Sequence, residues 1–262
     1  EVNDPVIIIG MGEIGSVLAR GFLRAGHPVY PVTRSMSLGD AHRINPEPIA
    51  VVLAVGEAQL QGCLHAMPAP WRDKLVLLQN ELLPRDWSEH NLRNPTIMSV
   101  WFEKKKGMDS KPLLPSPVYG AHAGLILTAM RELNLPAVEC FDMESMIWEL
   151  VRKNVYILTT NIAGMVAGGT VDELWNKHES LTREIACEVI ALQEALTGLS
   201  FEREGLIQGM LAGFHGDPAH KCMGRSAPAR LERALSLTRQ YGISAPTLQD
   251  IAANQTSNSA GT

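Results

Sequence analysis

Residues 5–26 read PVIIIGMGEIGSVLARGFLRAG, and their interpretation decides the fold. The apolar run Val6-Ile7-Ile8-Ile9 has the composition of a strand buried on both faces. It passes directly into Gly10, Met11, Gly12, Glu13, Ile14 and Gly15, after which Val17, Leu18, Gly21 and Phe22 recur at helical spacing. Strand, glycine turn and helix start follow one another as in a dinucleotide-binding unit. Each glycine has its own task in that reading. Gly10 permits the tight turn, Gly12 lets the backbone approach a pyrophosphate, and Gly15 lets helix and strand pack closely. The first N–H groups of the helix and its positive dipole end then face the phosphates.

Composition narrows the partners. With 262 residues, 45% of them hydrophobic, the chain can bury one large core or two moderate ones. A formal charge of −5 argues against nucleic acid or an anionic membrane surface as the main partner. Cys63, Cys140, Cys187 and Cys222 are scattered without a CxxC pair, which suits a reducing cytoplasm and gives no metal signature. No apolar run approaches a membrane span, and the sequence opens on a strand rather than a secretory signal, so a cytoplasmic protein is expected. HExxH, GxSxG and GK[ST] motifs are absent from the sequence. His122, His215 and His220 lack ligand spacing with carboxylates or thiols, so no metal site is expected.

Proline divides the chain. Thirteen of the 16 prolines lie at or before Pro136, and none occurs between Ala137 and Asp217. Because proline breaks helix interiors, the long gap reads as an all-α domain. The earlier half alternates apolar runs with turns, as an α/β domain of Rossmann type does. The expected division is a dinucleotide-binding domain over residues 1–142, a helical substrate and dimerisation domain over 143–252, and a frayed tail over 253–262.

Within the first half, residues 27–32 read as the second strand, ending in Thr33, Arg34 and Ser35. In this type of fold the residue ending that strand meets the adenosine ribose. An acid there accepts from the 2′-hydroxyl, whereas an Arg pairs with a 2′-phosphate. Arg34 therefore favours NADP(H) over NAD(H). Residues 35–48 are too short for the usual helix and further strand, so this half is expected to be trimmed. Residues 49–55 form an uninterrupted buried strand whose end, Ala54 and Val55, is expected to cover the cofactor from the other side. Residues 75–78 form the next strand and deliver Asn80 at a carboxyl end, where ligands bind. Residues 97–102 and 113–119 read as later, antiparallel strands, and Lys104-Lys105-Lys106 between them as a solvated hairpin tip. In the second half, residues 143–167 form a helix carrying Lys153 and Asn161 two turns apart. Residues 181–196, 201–213 and 231–241 supply further helices.

This order of parts resembles the ketopantoate reductase family over most of the chain. Gly10 to Gly15 match its cofactor loop, Arg34 falls at its 2′-phosphate Arg, and Leu78-Gln79-Asn80-Glu81 is similar to its strand-end Q-N-G. Residues 153–161, followed by Gly168-Gly169-Thr170, resemble the helix with its catalytic Lys and a substrate Asn. The resemblance implies NADPH as cofactor, Lys153 as catalytic proton donor, and Asn80 and Asn161 as orienting residues. It further implies a small keto acid as substrate, His220 and Lys221 near its carboxylate, and a homodimer. The chain departs from the family at three positions. A strand-end Lys is here Gly56, an Asn one turn after the catalytic Lys is Ile157, and an acid opening the last long helix is Ser226 or Ala227. A second register places Leu150 at the Lys and Asn154 at that Asn. A protein that binds NAD(P) without turnover, as a redox sensor or assembly partner, is the alternative these departures leave open.

Overall fold

A computed structural model describes residues 3–259, with side chains described as far as Gln255. The chain forms two compact units, Glu1–Leu150 and Val151–Thr262.

The first unit is built on β1 (Val6–Ile9), β2 (Val29–Val32), β3 (Ala50–Leu53), β4 (Leu75–Leu77), β5 (Thr96–Met98), β8 (Ser116–Tyr119) and β9 (Ala137–Glu139). Their spatial order is β2-β1-β3-β4-β5-β8-β9, parallel throughout except that β8 runs antiparallel to β5. Between strands lie α1 (Glu13–Arg24), α2 (Leu38–Ile44), α3 (Glu57–His65), α4 (Pro84–Ser88) and α5 (Ala123–Glu132). A small antiparallel hairpin pairs β6 (Phe102–Glu103) with β7 (Lys111–Pro112). After β1 the chain goes to β2 on one side and then crosses to β3 on the other. That reversal opens a crevice at the carboxyl ends of β1 and β3.

The central strands β1, β3 and β4 are short, apolar and wholly buried, because both of their faces are covered. Val6, Ile8, Val52 and Val76 share a core with Val17, Leu18 and Phe22 of α1 and Ile126 and Met130 of α5. Edge strand β2 carries Pro31, opposite Ile8.

Two expectations for this unit are corrected. Residues 35–48 do hold a helix: Ser37 caps α2, its hydroxyl accepting from the Asp40 N–H, and Ala41 anchors it by burial. Only the extra strand is missing, because α2 leads straight into β3. The lysine run is not uniformly solvated either, since Lys104 folds back onto Glu13.

The helical unit contains the larger part of α6 (Met143–Ala167), within which the division falls. It continues with α7 (Val171–Thr197), α8 (Arg203–Gly216), α9 (Ala227–Tyr241) and α10 (Pro246–Ser259). Helix α7 packs against α8, α9 and α10, burying Leu174, Val189, Met210, Leu231 and Leu248. It opens on a reciprocal cap between Thr170 and Glu173 and breaks helical geometry once, at His178. The expected tail over 253–262 is instead helical to Ser259, and residues 260–262 lie outside the described residues. Glu188 explains the difference: its carboxylate accepts from the Thr247 and Leu248 N–H groups, fixing the start of α10, and Leu248 and Ile251 are buried. Asn- and Ser-rich composition hid a helix held by that remote cap. Among the described residues, no helix is long and apolar enough to cross a membrane.

Candidate functional site

The glycine loop is shaped by close approach. Gly10 takes φ +95°, and a Cβ there would stand 2.8 Å from the Ala54 carbonyl oxygen, so the end of β1 passes the end of β3 at a distance only glycine allows. A Cβ on Gly15 would overlap the Gly10 carbonyl oxygen, which brings α1 directly onto the loop. Gly12 differs from both. It is the N-cap of α1, no side chain caps the helix there, and nothing lies within 4 Å of where its Cβ would be. The first N–H groups of α1 thus open on a clear space, the arrangement that takes a phosphate.

That space continues into a cavity of about 520 Å³. Gly10, Met11 and Gly12 bound it on one side, Thr33 and Arg34 at the end of β2, and Ala54 and Val55 past β3. Seven of the sequence-derived cofactor residues are therefore brought together on one wall set. The Arg34 guanidinium is exposed at the rim, and the Thr33 hydroxyl lies 3.2 Å from that of Ser35. Glu13 and Ile14 fall outside the lining. Ile14 packs on the core, and the Glu13 carboxylate pairs with Lys104 at 3.5 Å. Sequence reasoning missed Met36 and Leu38 around the start of α2, and Gln59 and Cys63 of α3, which also line the cavity. Burial pushes the Cys63 thiol above its usual range.

Gln79, not Asn80, makes the strongest contacts at the end of β4. Its Nε2 donates to the Leu53 carbonyl at 2.7 Å and the Val55 carbonyl at 3.1 Å, while its Oε1 accepts from the Leu78 N–H at 3.2 Å. Asn80 is half-buried in the turn that follows and is not part of the cavity lining. At Gly56 a Cβ would stand 2.9 Å from Gln59 Oε1, so the amide of Gln59 occupies the space beside this position.

In the helical unit, Lys153 is half-buried on α6, its ammonium 5.9 Å from the centre of the Tyr156 ring. Burial and the cations of Arg230 and Arg152 push its pKa down to about 7. Arg230, on α9, is 7% exposed, and Arg152 Nε donates to the Gly209 carbonyl at 2.9 Å. Asn161 Nδ2 donates to the Ile157 carbonyl of its own helix at 2.9 Å. Asn154, the Asn of the second register, is buried and donates to Gln193 Oε1 at 2.9 Å, tying α6 to α7. Ser226 is the N-cap of α9 and makes no side-chain capping bond. His220 and Lys221 are pinned by backbone bonds to the start of α7, with His220 Nδ1 3.7 Å from the Asp217 carboxylate. Among the described residues, no group of three His, Cys, Asp or Glu side chains could hold a metal ion.

No protein-family model matches the chain, and no curated protein matches it in sequence. Solved structures do match. One is 2-dehydropantoate 2-reductase from Methylococcus capsulatus, with a TM-score of 0.69 and 14% identity, covering 98% of this chain and 97% of that one. A second is the dimeric ketopantoate reductase from Staphylococcus aureus, with a TM-score of 0.62 and 16% identity over 97% of this chain and 98% of that one. A third is D-mandelate dehydrogenase in complex with NADH, with a TM-score of 0.66 and 14% identity over 95% and 96%. At these identities the likeness is one of fold: an α/β Rossmann-type unit followed by helices, as in ketopantoate reductases.

Proposed function

We propose that the chain is an NADP-dependent oxidoreductase of ketopantoate reductase type, moving hydride between NADPH and a small 2-keto or 2-hydroxy acid. The observation that carries this reading is the open face of Gly12 at the head of α1, continuous with a cavity that ends at Arg34. Gly10, Met11, Gly12, Ala54 and Val55 hold the dinucleotide, and Thr33 and Arg34 meet its 2′-phosphate. When bound, the nicotinamide supplies the hydride. Lys153 supplies the proton: as hydride reaches the carbonyl carbon, the ammonium of Lys153 protonates the developing alkoxide oxygen and is left as a neutral amine. A lysine brought to about 7 is suited to that exchange near neutral pH. Asn80 and Asn161 orient the substrate. The cofactor-bearing solved structure, with NADH, and the dimeric reductase support a nicotinamide cofactor and a homodimer. A cytoplasmic location is part of the same proposal.

The test is NADPH oxidation against a panel of 2-keto acids, with Lys153→Ala alongside wild type. Turnover by wild type that falls at least about a hundredfold in the variant is expected, the scale of one general acid.

A second reading is a dinucleotide-binding sensor or assembly partner without turnover. Asn161 favours it, because its amide already bonds the Ile157 carbonyl. Gly56, Ile157 and Ser226 favour it as well. Tight NADPH binding with no panel member reduced would select it over the enzyme.

A further inference from the structure

The β6–β7 hairpin carries three consecutive lysines, and one of them turns away from water. Lys104 has only 20% of its side chain exposed, and its ammonium lies 3.5 Å from the Glu13 carboxylate. The same ammonium donates to the Lys105 carbonyl at 2.8 Å, which fixes it to the hairpin. Lys105 pairs locally with Glu103 and is 61% exposed.

Glu13 is the residue directly after Gly12, in the first turn of α1. A carboxylate at a helix start is favoured by the helix dipole. It also stands beside the N–H groups that a phosphate would use, and two anions a few ångströms apart repel. The glycine loop therefore contains a charge opposed to its own ligand. A loop-borne cation against that carboxylate removes the conflict. The pair joins residues far apart in sequence, and the hairpin backbone holds the lysine in place.

We propose that Lys104 is a positioning residue for the pyrophosphate of the dinucleotide: it draws the Glu13 carboxylate aside from Gly12 and cancels its charge, so that the head of α1 attracts an anion. The inference rests on the dinucleotide reading of the glycine loop. Lys104 acts through Glu13, so its removal harms binding only while Glu13 is charged.

The experiment is titration of the purified full chain with NADPH and with adenosine 2′-monophosphate, which lacks the pyrophosphate. Lys104→Met is expected to raise the Kd for NADPH about tenfold, the scale of one uncompensated nearby charge. Lys104→Arg is expected to bind as wild type, and adding Glu13→Gln to Lys104→Met to restore the Kd to within about twofold. The Kd for adenosine 2′-monophosphate stays the same in every variant. A double variant as weak as Lys104→Met overturns the proposal, as does equal weakening toward the monophosphate, which would mark a general structural role. NADPH binding by wild type that Lys104→Met leaves unchanged overturns the proposal alone. Absence of NADPH binding by wild type overturns the dinucleotide reading and this inference with it.

Discussion

The Gln79 side-chain amide lies 3.1 Å from the Val55 carbonyl, and the same nitrogen lies 2.7 Å from that of Leu53. One side chain past β4 therefore closes the polar groups at the end of β3, where the ladder has run out of partners. Ala54 and Val55, on the cavity wall, owe their position to a residue that does not itself line the cavity.

Replacing Gln79 by Leu keeps the volume and leaves buried carbonyls without their donor. A loss of about 2–3 kcal/mol of stability is expected, read from denaturant midpoints. The Kd for NADPH is expected to rise as the β3 end loosens, while Asn80→Ala spares stability, since the Leu53 and Val55 carbonyls bond to the Gln79 side chain.

On the proposed reading, Arg34 decides between the two nicotinamide cofactors. Arg34→Ala is expected to weaken NADPH by about ten- to a hundredfold, the worth of a charge-assisted contact of roughly 1.5–3 kcal/mol. NADH should bind wild type and variant alike. Equal affinities of wild type for the two cofactors would refute the role of Arg34.

If Lys153 is the proton donor proposed above, activity and stability respond to pH in opposite senses. Its folded-state pKa is lowered from 10.5 to about 7. Between those values an unfolded chain still carries the proton that the folded chain has shed, so this group's contribution to stability improves as pH rises through the window and is constant below it. Reduction needs the protonated form, so kcat/KM for the keto acid should fall above about pH 7. Lys153→Met should abolish the reduction and flatten this part of the stability profile, measured by thermal melts across the same pH range.

Glu188 caps α10 at a distance, accepting from the Thr247 and Leu248 N–H groups at 2.8 and 3.0 Å. Glu188→Ala is expected to cost about 1–2 kcal/mol, as loss of a helix cap does. Hydrogen exchange should show faster exchange at the start of α10 in that variant, with the sheet unit unchanged.

The Rossmann-type unit was legible because its signals are local. Strand, glycine turn and helix stand side by side in residues 5–26, and backbone sterics at Gly10 and Gly15 demand the residues found there. The contacts that finish the site are of another kind. Gln79 reaches Val55 and Lys104 reaches Glu13 across long stretches of chain, through side chains that no periodicity marks. The same holds for α10: its apolar anchors are few and its cap comes from α7, so its sequence read as tail. In α2 the signal was present, as the Ser37 cap, and was outweighed by the shortness of the connection.

One last consequence concerns Pro31. Val6 donates to the Pro28 carbonyl and Gly10 to that of Val32, so along β2 the alternate residues, Pro31 among them, turn their backbone groups away from β1. At that outward position a proline has no N–H to offer. A strand from another molecule laid against this margin would find its hydrogen-bond ladder broken at the middle. Pro31, at the margin of the sheet, thus serves the solution behaviour of the chain: it keeps the sheet from being continued by a stranger.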